Sequence, residues 1–406
     1  MNILFIHRNY PAQFGHIARY LQRVHGWHCT FVTEKTNTPA DGIPKITYAA
    51  SGGATERTHY CARTFENSIW HAAAVYEALK PHAAALKPNL IVGHSGFGST
   101  AFLPELFPNT PILNYFEYYY HAHNSDLDFR PEWQPSEYDH LRARARNAMI
   151  LLDLQTCTAG YSPTHWQRSR FPGEYQPKIR VLHDGIDTDF WNPNPVGTPR
   201  PLIKSLPPQA PVVTYVSRGL EAMRGFDIFL QIAKRIHASR PDVHFLIIGS
   251  DQIAYGGDMK HIGAFKNFKE YALAQDTYPL NHLHFLGRVP PHELVQILAA
   301  SDLHIYLTVP FVLSWSLLNA MACGCAIVAS DTDPVREVLL DGENARLAGF
   351  FDPDGLAARG LEVLRDPQGA RRSLGAAARR TVERGYAQKT LLPQFANLFA
   401  EVAATA

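Results

Sequence analysis

The sequence predicts an α/β protein of two Rossmann-like, doubly wound domains facing a central cleft. Three observations carry this. Short continuous apolar runs alternate with helix-periodic segments, as strands buried on both faces alternate with the helices that cover them. The alternation runs through the first half of the chain and restarts near residue 212. A Pro-rich stretch at residues 190–209 separates the halves. The chain has 406 residues, 46% of them apolar, which suffices for two full cores at about 150 residues per domain.

The elements follow in order. Residues 3–6 (Ile-Leu-Phe-Ile) read as the first strand. After a polar loop at residues 9–15, Ile17, Ala18, Leu21 and Val24 recur at helical spacing. Residues 29–32 are the next strand. Residues 66–86 read as one long helix, with Ile69, Ala72, Ala73 and Tyr76 on a single face. Strands at 90–92 and 112–116 complete the first half. In the second half, strands are expected at 212–216, 245–248, 284–286, 303–307 and 326–329, and helices at 226–236, 293–300 and 315–322. A last helix, 389–403, follows the Gly385-Tyr386 break and is expected to pack away from the second half. This gives a first domain at 1–190, a linker at 191–209, a second domain at 210–385 and a closing segment at 386–406. Parallel sheets of this kind bind ligands beyond the carboxyl ends of their strands, at helix N-termini.

Composition narrows the function. The 38 basic and 37 acidic side chains leave a net charge of +1, so no nucleic-acid partner is expected. Five scattered cysteines fit neither a disulfide framework nor zinc spacing, and point to a reducing compartment; Cys323 and Cys325 read as small buried thiols. The apolar start is too short for a signal-peptide core, and no run reaches the ~18 apolar residues of a membrane span. A cytoplasmic protein is expected. The basic excess from Arg142 to Arg180 reads as a solvated face, or as a peripheral contact with anionic lipid or an anionic acceptor.

Three segments carry the chemistry. The loop ending at Gly15 leaves a strand and opens a helix, where backbone amides meet anions. Arg218, just past the 212–216 strand, and Arg224, just before the 226–236 helix, put two guanidinium forks where a diphosphate would sit. The run from Pro310 through Phe311, Val312, Leu313, Ser314, Trp315 and Ser316 follows a strand, and its amides face out of a helix start. Asp126 and Asp128 form a D-x-D with His121 and His123 nearby. In a polar loop this reads as local structure, and no metal site is assigned.

These landmarks together resemble the bacterial family 4 glycosyltransferases, retaining enzymes of GT-B fold. The resemblance rests on the Gly15 loop, His183-Asp184-Gly185-Ile186-Asp187, Ser217-Arg218 with Arg224-Gly225, Phe285-Leu286-Gly287-Arg288-Val289, Ser301-Asp302 and Leu318-Asn319-Ala320-Met321-Ala322-Cys323-Gly324, in that order. The runs FIHRNYPAQFGHIARYL and VSRGLEAMRGF look most like a polysaccharide- and glycan-cluster subgroup. The resemblance implies hexosyl transfer from a nucleotide-diphosphate sugar, of UDP or GDP type, to a hydroxyl of a saccharide, glycolipid or other acceptor, without metal or other cofactor. By position, Arg218 and Arg224 would neutralise the diphosphate, and Gly15 would let its loop approach the donor. Arg288 and Val289 would meet the base, and Asn319 the ribose. Phe311, Val312, Leu313 and Ser314 would line the sugar, with the Trp315 and Ser316 amides near phosphate. Glu117 would be catalytic together with Arg218 and Arg224, and His94 and Asp184 would serve the acceptor side. Family members carry Glu-x7-Glu where this chain has Phe311 and Asn319, a lysine where it has Arg224, and a histidine near Glu117. Two other readings stay open at this point: a nucleotide-sugar epimerase on the same fold, and a non-catalytic donor-binding or scaffold subunit.

Overall fold

The structure is a computed structural model and describes residues 1–195, 206–207 and 209–405. Most of the predicted 191–209 linker therefore lies outside the described residues. The chain forms two compact units, Met1–Gly185 with Lys389–Ala406, and Ile186–Gln388. These divisions fall a few residues from 190 and 385. Ile186 and Ala387 pair in a parallel bridge, which ties both to the second unit.

The first unit is built on seven parallel strands: β1 (Asn2–Ile6), β2 (His28–Thr33), β3 (Lys45–Thr47), β4 (Leu90–His94), β5 (Ile112–Tyr115), β6 (Ala159–Ser162) and β7 (Ile179–Val181), in the order β3-β2-β1-β4-β5-β6-β7. The pleat sends alternate side chains to opposite faces. Ile3 and Phe5 of β1 join a core with Phe14, Ile17 and Phe31, whereas Leu4 and Ile6 join another with Val75, Leu79 and Ile91. The expected 66–86 helix runs instead from Arg63 to Leu79 and then tightens at Lys80–His82. Pro81 cannot donate into a continuing helical ladder.

The closing helix, Gln388–Ala403, packs on the first unit's sheet. Phe399 lies 6.0 Å from Phe5 and Phe395 lies 5.3 Å from Tyr161, ring to ring. Both phenylalanines are fully buried, each worth about 1.5–3 kcal/mol of transfer free energy.

The second unit holds six parallel strands: β8 (Val212–Gly219), β9 (His244–Ser250), β10 (Leu283–Gly287), β11 (Leu303–Tyr306), β12 (Ile327–Ser330) and β13 (Arg346–Ala348), in the order β10-β9-β8-β11-β12-β13. Both sheets reverse direction of progression beside their first strand, between β1 and β4 and between β8 and β11. Crevices at such switch points are where doubly wound sheets bind ligands.

Candidate active site

In the second unit the switch point is closed by two segments: the end of β8 with the turn Ala222–Arg224, and the loop after β11. Gly225 adopts φ +61°, and a Cβ there would come within 2.9 Å of Leu307 Cβ, so only glycine lets the two segments approach this closely. Arg224 is buried, at 5% exposure. Its Nη1 donates to Thr308 Oγ1 at 2.6 Å, and both terminal nitrogens reach the Val312 carbonyl at 3.3 Å. The guanidinium predicted to meet a diphosphate is thus largely committed to holding the 308–312 loop. Arg218 is the exposed member of the pair.

Against both arginines lies a residue that the sequence did not single out. The Tyr255 ring lies 5.6 Å from the Arg218 guanidinium carbon, 5.3 Å from that of Arg224 and 5.8 Å from the Phe311 ring. Its loop is anchored by Glu221, a fully buried carboxylate that accepts from the amides of Ala254 (2.8 Å), Tyr255 (2.9 Å) and Gly256 (3.3 Å). Charge-assisted bonds of this kind are the strong ones. A Glu lying 33 residues before its partners gives no periodic signal.

Phe311 and Val312 are buried, Leu313 and Ser314 half-buried, and Trp315 is 44% exposed. Ser314 caps the helix Trp315–Ala322: its Oγ accepts from the Ser316 amide at 3.2 Å, while its own amide donates to the Tyr306 hydroxyl at 3.0 Å. The Ser316 amide is therefore spent on the cap in this state. Asn319 is half-buried on the same helix, and its side chain makes no hydrogen bond among the described residues. Arg288 is exposed and Val289 half-buried, just past Gly287 (φ +64°) at the end of β10.

In the first unit, His7 after β1 and His94 at the end of β4 flank the switch point, with ring centroids 5.1 Å apart. His94 Nδ1 donates to the Ser95 carbonyl at 2.8 Å, which leaves Nε2 3.6 Å from the Glu117 carboxylate. These two predicted residues do come together. They line a cavity of about 210 Å³. Its rim is fixed by the fully buried Asp153, which accepts from Ser95 Oγ at 2.9 Å and the Gly96 amide at 2.8 Å; burial raises its pKa to about 6.

Asp184 does not join this cavity. It is 1% exposed, its backbone carbonyl takes a hydrogen bond from His16 Nε2 at 2.6 Å, and its carboxylate opposes ionisation of the buried Tyr115 and Tyr161. Gly15 has a local reason to be glycine, since a Cβ there would lie 2.3 Å from Pro11 Cβ.

The D-x-D carboxylates serve their own loop. Asp128 accepts from the amides of Asn124 and Ser125, and Asp126 takes the Tyr118 hydroxyl at 2.7 Å. Several of the 142–180 cations are likewise used internally. Arg168 donates to the Gln176 carbonyl, Lys178 to the Leu154 carbonyl, and Arg180 pairs with Glu401. No helix of the described residues is long and apolar enough to cross a membrane.

Comparison with known proteins places the chain. The description "Glycosyl transferase family 4 group" matches residues 25–191, and "Glycosyl transferases group 1" matches residues 203–381. A phosphatidyl-myo-inositol mannosyltransferase of Mycolicibacterium smegmatis is 32% identical over 173 residues, 41% of this chain and 40% of that protein. An alpha-maltose-1-phosphate synthase of the same organism is 27% identical over 221 residues, 52% and 54% of the two chains. The alignments thus span about half or less of these relatives' own length. Among solved structures, the sucrose-phosphate synthase of Thermosynechococcus elongatus superposes with a TM-score of 0.73 at 18% identity, over 100% of this chain and 99% of that one. HepE of Anabaena, in complex with UDP and glucose, superposes with a TM-score of 0.70 at 16% identity, over 98% and 99%. The chain thus carries a glycosyl transferase family 4 group segment on its first sheet and a glycosyl transferases group 1 segment on its second, and these two glycosyltransferase segments together span most of its length.

Proposed function

We propose that the protein transfers a hexosyl unit from a nucleotide-diphosphate sugar to a hydroxyl acceptor, with retention of anomeric configuration and without a metal ion. The observation that carries this is the arginine pair around Tyr255 at the second unit's switch point, beside the first turn of the helix Trp315–Ala322. Arg218 contacts the diphosphate directly. Arg224 contributes its charge from behind while fixing the loop that carries Phe311 and Val312. The acceptor oxygen bonds to the anomeric carbon, the bond from that carbon to the diphosphate oxygen breaks, and the acceptor proton leaves with the diphosphate. Such a reaction asks the protein mainly for positioning and for stabilisation of the charge growing on the leaving group. Glu117 and His94 orient the acceptor hydroxyl. Arg288 and Val289 take the base and Asn319 the ribose.

The donors named for relatives support the nucleotide class. One Mycolicibacterium smegmatis relative is called GDP-mannose-dependent, and HepE was solved with UDP-glucose. Glycan, glycolipid or glycoconjugate assembly is the setting that these relatives suggest. An epimerase finds no support among them.

A thermal-shift panel of nucleoside diphosphates and their sugars tests the reading, because a ligand that binds only the folded state raises its melting temperature. UDP or GDP is expected to stabilise the protein, and a panel without any stabilising nucleotide would sink the proposal. With the matching donor, turnover is expected to be equal in EDTA and in manganese. Loss of turnover in EDTA and its return with manganese would instead assign the charge stabilisation to a metal.

Asn319 gives a finer test of the same site. A neutral hydrogen bond to ribose contributes about 0.5–1.5 kcal/mol. Asn319→Ala is therefore expected to weaken a ribonucleotide donor by up to about tenfold and a deoxyribonucleotide donor much less, in paired calorimetric titrations. Asn319→Glu should be tolerated or bind more tightly. Equal, unchanged binding of both nucleotides to Asn319→Ala would remove Asn319 from the site.

A further inference from the structure

The first unit's cavity has a cation that its surroundings do not satisfy. Asn147 clamps the backbone of Tyr120 in both directions, accepting from its amide at 2.9 Å and donating to its carbonyl at 2.8 Å. Arg146, the preceding residue, lays its guanidinium 3.6 Å from the centre of the Tyr120 ring. The platform is thus held from both sides. Arg146 Nε is buried and has no acceptor among the described residues, and no ion pair of Arg146 occurs among them. The carboxylate it senses electrostatically is Asp126, already held by the Tyr118 hydroxyl.

A second residue of the cavity wall repeats the pattern. His71 is 8% exposed, lines the cavity, and leaves Nδ1 buried without a partner. Arg8, also on the wall, spends its Nε on Glu34 at 3.2 Å. The carboxylate facing the cavity is Glu117, itself beside His94. Burial first, and Arg8 second, lower the His71 pKa, so at neutral pH its ring is a neutral hydrogen-bonding group.

Buried polar groups in native proteins are nearly always satisfied, and those left open at a cavity wall mark what the cavity is built to hold. A planar guanidinium with open N–H groups suits a phosphate or carboxylate. At about 30 Å³ per water in the liquid, the cavity has room for such a group and part of a sugar or polyol ring. We infer that it selects an acceptor bearing an anionic group, held by Arg146 with help from His71, while the hydroxyl to be glycosylated lies toward Glu117. This rests on the transferase reading and adds the acceptor's chemical class to it. Neither the identity of the donor nor the chemistry at Arg218 bears on it.

The test is a calorimetric titration in saturating UDP or GDP, so that the cations of the second unit are already occupied. Probes are inorganic phosphate, glucose 6-phosphate, glucose, and phosphatidylcholine vesicles with and without phosphatidylinositol. Glucose 6-phosphate or the phosphatidylinositol vesicles are expected to bind, and glucose and plain vesicles are not. Binding of the free sugar phosphate identifies a soluble acceptor; binding of the vesicles alone identifies a lipid headgroup. Arg146→Gln should weaken the bound probe by at least about tenfold, Arg146→Lys should recover part of the loss, and both should keep wild-type nucleotide affinity, which also reports that they fold. Failure of every anionic probe to bind, or wild-type anion affinity in Arg146→Gln, overturns the inference. A protein that binds no nucleotide contradicts the donor reading instead, and the anion titration can still be read without it.

Discussion

Replacing Arg218 by alanine is expected to lower turnover by about 10²–10³-fold, the loss typical of removing one donor aimed at developing negative charge. Arg218 lies near the end of β8 at the second unit's switch point, is exposed, and lies, like Arg224, against the Tyr255 ring. Loss of an exposed side chain changes stability by no more than about 0.5 kcal/mol in most proteins, so the melting temperature should hardly move. Affinity for the free nucleoside diphosphate should fall along with turnover. Arg218→Lys should land between the two, since it keeps the charge and loses the fork. Arg224→Ala should behave differently. It removes the bonds to Thr308 and Val312, so it should lower stability and affinity together. Nucleotide titrations, turnover and melting curves on the same preparations separate these outcomes. Unchanged nucleotide affinity in Arg218→Ala would remove that residue from the donor site.

Acid should destabilise the protein steeply, well above the range where its carboxylates titrate. Burial holds the imidazoles of His7, His183 and His304 at a pKa of about 3 against an ordinary 6.5. Each is neutral in the folded chain and takes up a proton on unfolding below pH 6.5, so each removes stability as the pH falls. A site whose unfolded form binds one more proton costs about 1.4 kcal/mol per pH unit. Asp153 acts in the opposite sense. Its folded pKa of about 6, against 3.8, means the folded chain binds the extra proton between those values. That offsets about one imidazole, leaving roughly 3 kcal/mol per pH unit near pH 5. The carboxylates held low by partners, such as Asp41 and Asp276 near 2, lose their contribution only below about 3.8. Urea unfolding at pH 7, 6 and 5 measures the slope. His304→Gln should reduce it by about one proton's worth. Equal or greater stability at pH 5 would contradict the buried, neutral state of these histidines.

What the sequence made legible follows from burial. β1, β4, β8, β9 and β12 were legible through short apolar runs, because helices cover both faces of each sheet's centre. β3, β7 and β13 are three-residue edge strands, Lys45–Thr47, Ile179–Val181 and Arg346–Ala348, with one neighbour each. Too few of their side chains are buried to leave a pattern. β6, Ala159–Ser162, is an interior strand but short and rich in small residues, and it was missed for that reason. The closing helix was legible behind the Gly385-Tyr386 break, which also marks its separation from the second half.

Candidate residues could be picked from the sequence where chemistry and motif coincide, at Arg218, Arg224, the 310–316 run, His94 and Glu117. The site was not legible where a side chain acts at long range in sequence. Glu221 reaches 33 residues forward to hold the Tyr255 loop, and Asp153 reaches back to Ser95 and Gly96. Nothing local distinguishes either from a solvated carboxylate. The burial of Arg224 was hidden for the same reason, because its partners lie 84 and 88 residues away.

The central claim is sugar transfer from a nucleotide-diphosphate donor by the cations of the second unit. The most direct measurement is mass spectrometry of an acceptor mixture, including sugar phosphates and polyol phosphates, incubated with UDP- and GDP-hexoses, followed by NMR of the anomeric proton of any product. An acceptor is expected to gain one hexosyl unit, with the donor's anomeric configuration retained, in wild type and at trace level in Arg218→Ala. A donor isomerised or released intact with no acceptor modified, or product formed equally well by Arg218→Ala, would contradict the claim.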